Sequence, residues 1–431
     1  MMFLSHSTHH QSRRLRMSAL WALGLFTLLS WRCVQAQSET LKLETWRIDD
    51  EPRWVNQILP AFTSSHTTVK VITSPSVATD YDKALEKKLT IGKAGDLITC
   101  RPFDQSLDLY NKGHLQDITA MPELRKFRSH GKVAWTTYYA DRVFCMPVAA
   151  VMTGFFYNAS IFKELDLSPP QTEEEFFNTL EKIKVSGKYL PLAFGTQETW
   201  QSAQVLFAGI GPNYWNGEQG RINLLTGRAK FTDPPYVETW RTLAKLANYL
   251  PANHNHIGEK EARNLFLQGK AAIYPAGSWE IAFLSESSNA KNIAVFAPPP
   301  KQVKHNCYVL SHLDIGIGIN TKSAHPKTAS DFLAWLSTRD FSQTLANSLP
   351  GFFPLSNHPV EISNPLAREM MSWRQQCDTT IRINSQFLNQ AWPGLEQELW
   401  RLSAQVMRNE ITPEEAAKKI AEGVEKWFKP I

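Results

Sequence analysis

The sequence predicts an α/β protein built as two lobes. Strand and helix patterns alternate along its first hundred residues, the rhythm of a parallel sheet covered by helices. At 431 residues the chain exceeds the ~250–300 at which a single core stops growing. No internal repeat or low-complexity segment interrupts the pattern.

The elements follow in order. Leu41-Lys42-Leu43-Glu44-Thr45-Trp46 alternates as a strand does. Trp54, Val55, Ile58, Leu59 and Phe62 fall on one helical face, so Trp54 to Phe62 predicts a helix. Val69–Ile72 and Asp96–Thr99 read as strands, with a helix from Asp80 to Leu89 between them. Phe176 to Val185 is helical; Thr172 and Glu175 form a capping box, and Glu173, Glu174 and Glu175 suit a helix N-terminus. Leu190–Gly195 is a short buried strand. Helices follow at Tyr236–Tyr249 and Glu259–Gln268, a strand at Ala271–Tyr274 with a turn at Pro275-Ala276-Gly277, and a helix at Ala329–Ser337. Thr412 caps a last amphipathic helix, with Pro413 in its first turn.

The N-terminus carries its own signal. Arg13, Arg14 and Arg16 precede an apolar run from Ala19 to Leu29, too short to span a bilayer, and Val34-Gln35-Ala36 places small residues at a cleavage site. This predicts a secretory leader, residues 1–36, cut after Ala36. Bulky and charged Trp31 and Arg32 before Cys33 argue against a lipid anchor, and Arg16 against twin-arginine export. Cleavage removes four of the 46 basic residues and none of the 41 acidic ones, so the exported chain is near neutral. A near-neutral chain without basic blocks has no electrostatic footprint for nucleic acid, and no second apolar run is long enough for membrane insertion. Cys100, Cys145, Cys307 and Cys377 remain, an even number in an oxidising compartment. They predict two disulfides with three possible pairings.

Five blocks then carry a resemblance. They are Ala94-Gly95-Asp96-Leu97-Ile98 with Gly113-His114-Leu115-Gln116-Asp117-Ile118; Cys145-Met146-Pro147; Phe156-Tyr157-Asn158 with Phe162-Lys163-Glu164-Leu165; Pro170-Gln171-Thr172; and Phe266-Leu267-Gln268-Gly269-Lys270-Ala271-Ala272-Ile273 with Gly277-Ser278-Trp279. In this order the chain resembles the family 1 extracellular solute-binding proteins, the group of the maltose-binding protein. One departure is Thr172-Glu173, where that family often has Thr-Trp. The resemblance implies the periplasmic binding protein fold, with two discontinuous lobes, a hinge, and ligand held in the cleft between them. The N-terminal lobe is expected at 37–146 plus 319–349, and the C-terminal lobe at 151–311 plus 355–430. Crossings fall at 147–150, 312–318 and 350–354. With the lobes so drawn, the cysteines pair within lobes as Cys100–Cys145 and Cys307–Cys377.

No nucleophile elbow, zinc-protease motif, phosphate loop or Cys-x-x-Cys pair is present. His254-Asn255-His256 has metal-like spacing but sits in a polar loop, so neither a metal nor a cofactor is expected. Aromatics are plentiful instead: 14 tryptophans, of which only Trp21 and Trp31 lie in the leader. Sugars present flat C–H faces to such rings and hydroxyls to planar polar groups. Ligand contacts are therefore expected where strands end. In the first lobe these are Trp46, Asp80, Tyr81, Arg101 and Asp104; in the second, Glu198, Trp200, Trp279 and Glu280, with Phe352 in the third crossing. The resemblance marks the Arg101–Asp104 loop, the Glu198–Trp200 segment and the Gly-Ser-Trp block in particular. The function so implied is a monomeric periplasmic receptor, not an enzyme, that hands a sugar, oligosaccharide or glycoside to the permease subunits of an ABC importer by cleft closure. Arg47, Arg101 and Arg382 keep open a charged solute such as a sugar acid, a sulfonated or phosphorylated polyol, or a polyamine. A secreted carbohydrate-active enzyme needs a converging carboxylate pair, which sequence alone does not display.

Overall fold

The computed structural model describes residues 38–137, 140–302, 306–383 and 394–426; the expected leader and its expected cleavage site lie outside them. Among the described residues the strands are β1 (Glu39–Thr45), β2 (Val69–Pro75), β3 (Leu97–Cys100), β4 (Met146–Asn158), β5 (Leu190–Leu192), β6 (Ala271–Gly277), β7 (Ile293–Phe296), β8 (Tyr308–Ile319), β9 (Phe353–Pro354) and β10 (Asp378–Thr380). Their order is β2-β1-β3-β8-β4-β6-β5, with β7 and β9 on β4 and β10 on β8.

The expected parallel pairing holds at the start of the chain. β1 pairs parallel with β2 from Glu39↔Val69, and with β3 at Leu43↔Leu97. Leu41 and Leu43 face the core while Lys42 stays half-exposed, the alternation that the sequence carried. β8 then runs antiparallel to both β3 and β4 (Leu97↔Ile319, Met146↔Ile317), so the whole sheet is mixed.

β4 and β8 are the long strands, of 13 and 12 residues. At ~3.3 Å per residue, each reaches roughly 40 Å and passes from one lobe into the other. The near half of β4, up to Val151, joins a core with Leu41, Phe62, Leu97, Phe332 and Phe352. Its far half joins two others: Phe155 with Phe207, Trp240 and Leu402, and Met152 with Phe266, Tyr274 and Met370. Pro147 lacks an N–H, and the pairing of β4 with β8 slips between Pro147 and Ala149 and again before Ala150. Both disulfides close, Cys100–Cys145 and Cys307–Cys377, with Cα atoms 6.6 and 4.8 Å apart.

Several local expectations shift. The helix expected over Trp54–Phe62 starts earlier, as α-helix at Glu51–Arg53, passes through a π turn over Trp54–Ile58 and returns to α-helix at Leu59–Ser65. Thr172 does accept from the Glu175 N–H (3.2 Å), yet Glu175 turns to the Gln171 N–H (2.7 Å), so the box closes one residue early. The turn expected at Pro275-Ala276-Gly277 is strand: β6 stays on β4 to Thr153↔Gly277. β5 stops pairing at Ile273, which leaves an edge where proline is tolerated. At Thr412 the capping box is complete. Thr412→Ala should therefore lower stability by ~1 kcal/mol in urea unfolding.

Candidate functional site

The C-terminal ends of β1 and β3 open one wall of the cleft. Trp46 follows β1 and is buried, its ring edge-on to Tyr81 at 5.4 Å. The Arg101 guanidinium lies over Trp46, 4.6 Å from the ring centre, donates from Nε to Asp82 Oδ1 (3.2 Å), and also bonds the Ala78 carbonyl (2.6 Å). Arg47 donates from Nε to Asp50 Oδ2 (2.6 Å) and sits over the buried Phe352 ring at 4.6 Å. Asp50 is the inner partner, with its side chain 1% exposed.

The opposite wall is built on the end of β6. Ser278 receives a hydrogen bond from the Met152 N–H (3.0 Å) and donates to the Gly351 carbonyl, tying β4, β6 and the segment before β9 together. Trp279 follows and folds back over Gly277, where a Cβ would stand 1.9 Å from the indole. Only glycine fits there. The indole N–H donates to Glu259 Oε1 (2.8 Å), Trp200 lies 6.1 Å away, and the ring touches the cores of both lobes. Glu198 accepts from the Glu259 N–H (2.7 Å), which fixes that carboxylate's helix.

β8 provides the floor. His312 and Asp314 project from the same face, two residues apart, with His312 Nε2 3.8 Å from Asp314 Oδ1. Beside them Arg382 donates to Glu396 Oε1 (2.6 Å) and Gln204 Oε1 (2.7 Å). Burial pushes the Asp314 carboxyl up against the opposing pull of Arg47, Arg382 and Arg101. Burial, with Arg382 adding to it, drives His312 far below its ordinary range, so its ring is neutral. Asp314 Oδ2, both ring nitrogens of His312, Arg382 Nε and Gln201 Oε1 are buried without a hydrogen-bond partner. Such groups are rare in folded proteins unless something else completes them.

A family description, bacterial extracellular solute-binding protein, matches residues 48–340, more than half of the chain. This chain belongs to that family. Among its relatives is a multiple sugar-binding protein of Streptococcus mutans, 23% identical, with 84% of this chain aligned to 83% of the relative. Among solved structures, a bacterial solute receptor with an exclusive preference for β-D-galactopyranose superposes with a TM-score of 0.78 at 17% identity, over 91% of this chain and all of that one. A Bacillus licheniformis sugar transporter in complex with stachyose gives 0.70 at 15% identity, over 90% of this chain and all of that one. At these identities the structural matches establish the two-lobed fold.

Within this solute-binding protein the expected residues divide. Trp46 and Arg101 meet at the ends of β1 and β3 with Phe352 against Arg47, and Glu198, Trp200 and Trp279 gather around Glu259. Tyr81 is buried and donates its hydroxyl to the Thr99 carbonyl (2.7 Å), so it acts as packing beneath Trp46. Asp80 is exposed at the start of its helix, and Asp82 two residues on is the one that meets Arg101. Glu280 is buried with both oxygens 3.2 Å from Arg263 Nη1, which commits it to an ion pair inside its own lobe. Asp104 opens a helix behind Phe103, whose φ of 64° marks a strained loop. His254 shares a hydrogen bond with Thr196 (3.2 Å) and joins no group of metal-ligating side chains among the described residues.

Asp50, Gln201, Gln204, Glu259, His312, Asp314 and Glu396 went unread as site residues. They come from five separate segments, and none stands in a motif. Two arginines, Arg47 and Arg382, were visible only as possible anion forks; in the structure each already holds a carboxylate.

Proposed function

We propose that the chain, exported and cut after Ala36, is a periplasmic receptor that closes on a neutral sugar, oligosaccharide or glycoside and presents the closed form to an ABC permease. The observation that carries this reading is the cleft floor: buried polar groups without protein partners, set between walls bearing Trp46, Trp200 and Trp279. Hydroxyls satisfy such groups, and indoles stack on sugar faces. The guanidiniums Arg47, Arg101 and Arg382 are paired with Asp50, Asp82 and Glu396, which leaves no free cation for an anionic solute among the three. The names of the relatives and neighbours, which bind multiple sugars, galactopyranose and stachyose, point the same way.

The lobes are taken as 37–146 plus 319–349 and 151–311 plus 355–430, crossing at 147–150, 312–318 and 350–354. The division between hydrophobic cores at Val151 and Met152 supports the first crossing. Closure makes the ligand bridge two half-sites, so binding and shape change are one event, and no covalent step is needed.

Thermal-shift screening of the mature protein against sugars, glycosides and polyols tests the reading. A true ligand at a hundred times its Kd adds ~2.7 kcal/mol of stability. X-ray scattering should show a monomer that shrinks on binding, and the sugar should be recovered intact. A protein that no saccharide stabilises, or one that cleaves its saccharide, contradicts the proposal.

A further inference from the structure

We propose that Asp314, on the floor strand β8, sets the specificity of this cleft: it accepts hydroxyl donors from a neutral saccharide and turns away solutes that bring a carboxylate to the same point. The inference rests on the sugar-receptor reading and names what that site selects.

Asp314 stands apart from the arginine-paired carboxylates around the floor. Asp50, Asp82 and Glu396 each hold an arginine directly. The side chain of Asp314 is 16% exposed, its Oδ2 is buried without a partner, and its nearest ionic neighbour, His312, is 3.8 Å away, beyond a hydrogen bond. An ionised carboxylate offers about four acceptor sites, and leaving them unfilled in a dry site is costly. Burial pushes its carboxyl up; Arg47, Arg382 and Arg101 pull the other way, yet their donors are turned to other carboxylates. The structure thus places a carboxylate on the floor whose Oδ2 no protein group satisfies.

The missing partner must donate. Hydroxyls do so without adding charge, whereas a second carboxylate brought against Asp314 repels it, and one of the two must then take up a proton. His312 refines the match. Its ring is 3% exposed, neutral, and unpartnered at both nitrogens, so one nitrogen donates and the other accepts. Two neighbouring sugar hydroxyls can give protons to Asp314 while one of them takes the His312 N–H. Asp314 and His312 side by side therefore fit a diol.

The test is Asp314→Asn, which keeps shape and removes charge. Galactose, raffinose and stachyose serve as neutral probes, with galacturonate as the acidic counterpart and galactosamine as the basic one. Calorimetric titration of the wild type should show binding to a neutral probe and at least tenfold weaker binding of galacturonate. Asp314→Asn should bind that neutral probe ~10–100-fold more weakly. Without sugar it should melt at or above the wild type, because a carboxylate kept for a ligand is a burden to the empty fold. An Asn variant that melts several degrees lower without sugar makes Asp314 a structural ion and overturns the inference. So does retained affinity within threefold, or a wild type that prefers galacturonate. A wild type blind to every saccharide sinks the sugar reading and this inference together; retained affinity beside a responsive wild type sinks this inference alone.

Discussion

Trp279→Ala should weaken solute binding by ~1–3 kcal/mol, a loss of roughly ten- to hundredfold in affinity, while the protein still folds. Trp279 is half-buried, its N–H is spent on Glu259 Oε1 at 2.8 Å, and its ring bridges the cores of the two lobes. Part of its contact surface is therefore packing, and some stability will go with it. That loss should stay below the ~3–5 kcal/mol expected for a fully buried tryptophan, since Trp279 is only partly buried. Trp279→Phe separates the contributions further. It keeps a stacking face and gives up only the bond to Glu259, so it should retain most of the affinity. Calorimetric titration and a melting curve on each variant decide the matter. Unchanged affinity with a collapsed melting point would assign Trp279 to the core.

The fold was legible wherever a local pattern stood for a local cause. The alternation of Leu41 and Leu43 with Lys42 gives β1, and Thr412 with Glu415 gives the start of the last helix, because these signals act over a few residues. The discontinuous lobes were legible only through resemblance. Nothing local announces that residues 308–319 return to lie between β3 and β4. The disulfides followed from that lobe assignment.

The proposed site was legible in part. Trp46, Arg101 and Trp279 sit beside strand ends, and strand ends face the cleft. Reading one residue along a helix face was less secure: Asp80 and Asp82 differ by two positions, some 200° of rotation, and only Asp82 reaches Arg101. The floor was invisible for a deeper reason. Arg382 meets Gln204 across 178 residues of sequence, and Arg47 comes near Asp314 only once β8 has returned to lie beside β3. Periodicity tells which side chains are buried. It does not tell which buried polar atom finds a partner, and the proposed site rests on that distinction.

Arg47→Ala should cost ~3–5 kcal/mol of folding stability, more than any single contact in the cleft, because of what it leaves behind. Asp50 is held at 1% exposure by the Arg47 guanidinium, whose own side chain is only 18% exposed, and both belong to the segment just after β1. Removing the arginine strands a carboxylate in a place where water reaches it poorly. It also strips the cation from the face of Phe352, a contact worth ~0.5–2 kcal/mol. The pair itself is a weak source of stability, since both charges were desolvated to form it. The double variant Arg47→Ala with Asp50→Asn should therefore recover most of the loss, leaving only the missing Phe352 contact and some lost packing. Urea unfolding of the wild type, the two single variants and the double variant completes the cycle and gives the coupling energy directly. A loss below ~1 kcal/mol for Arg47→Ala, or a double variant no more stable than that single one, would show that Asp50 is not a buried charge waiting on its partner.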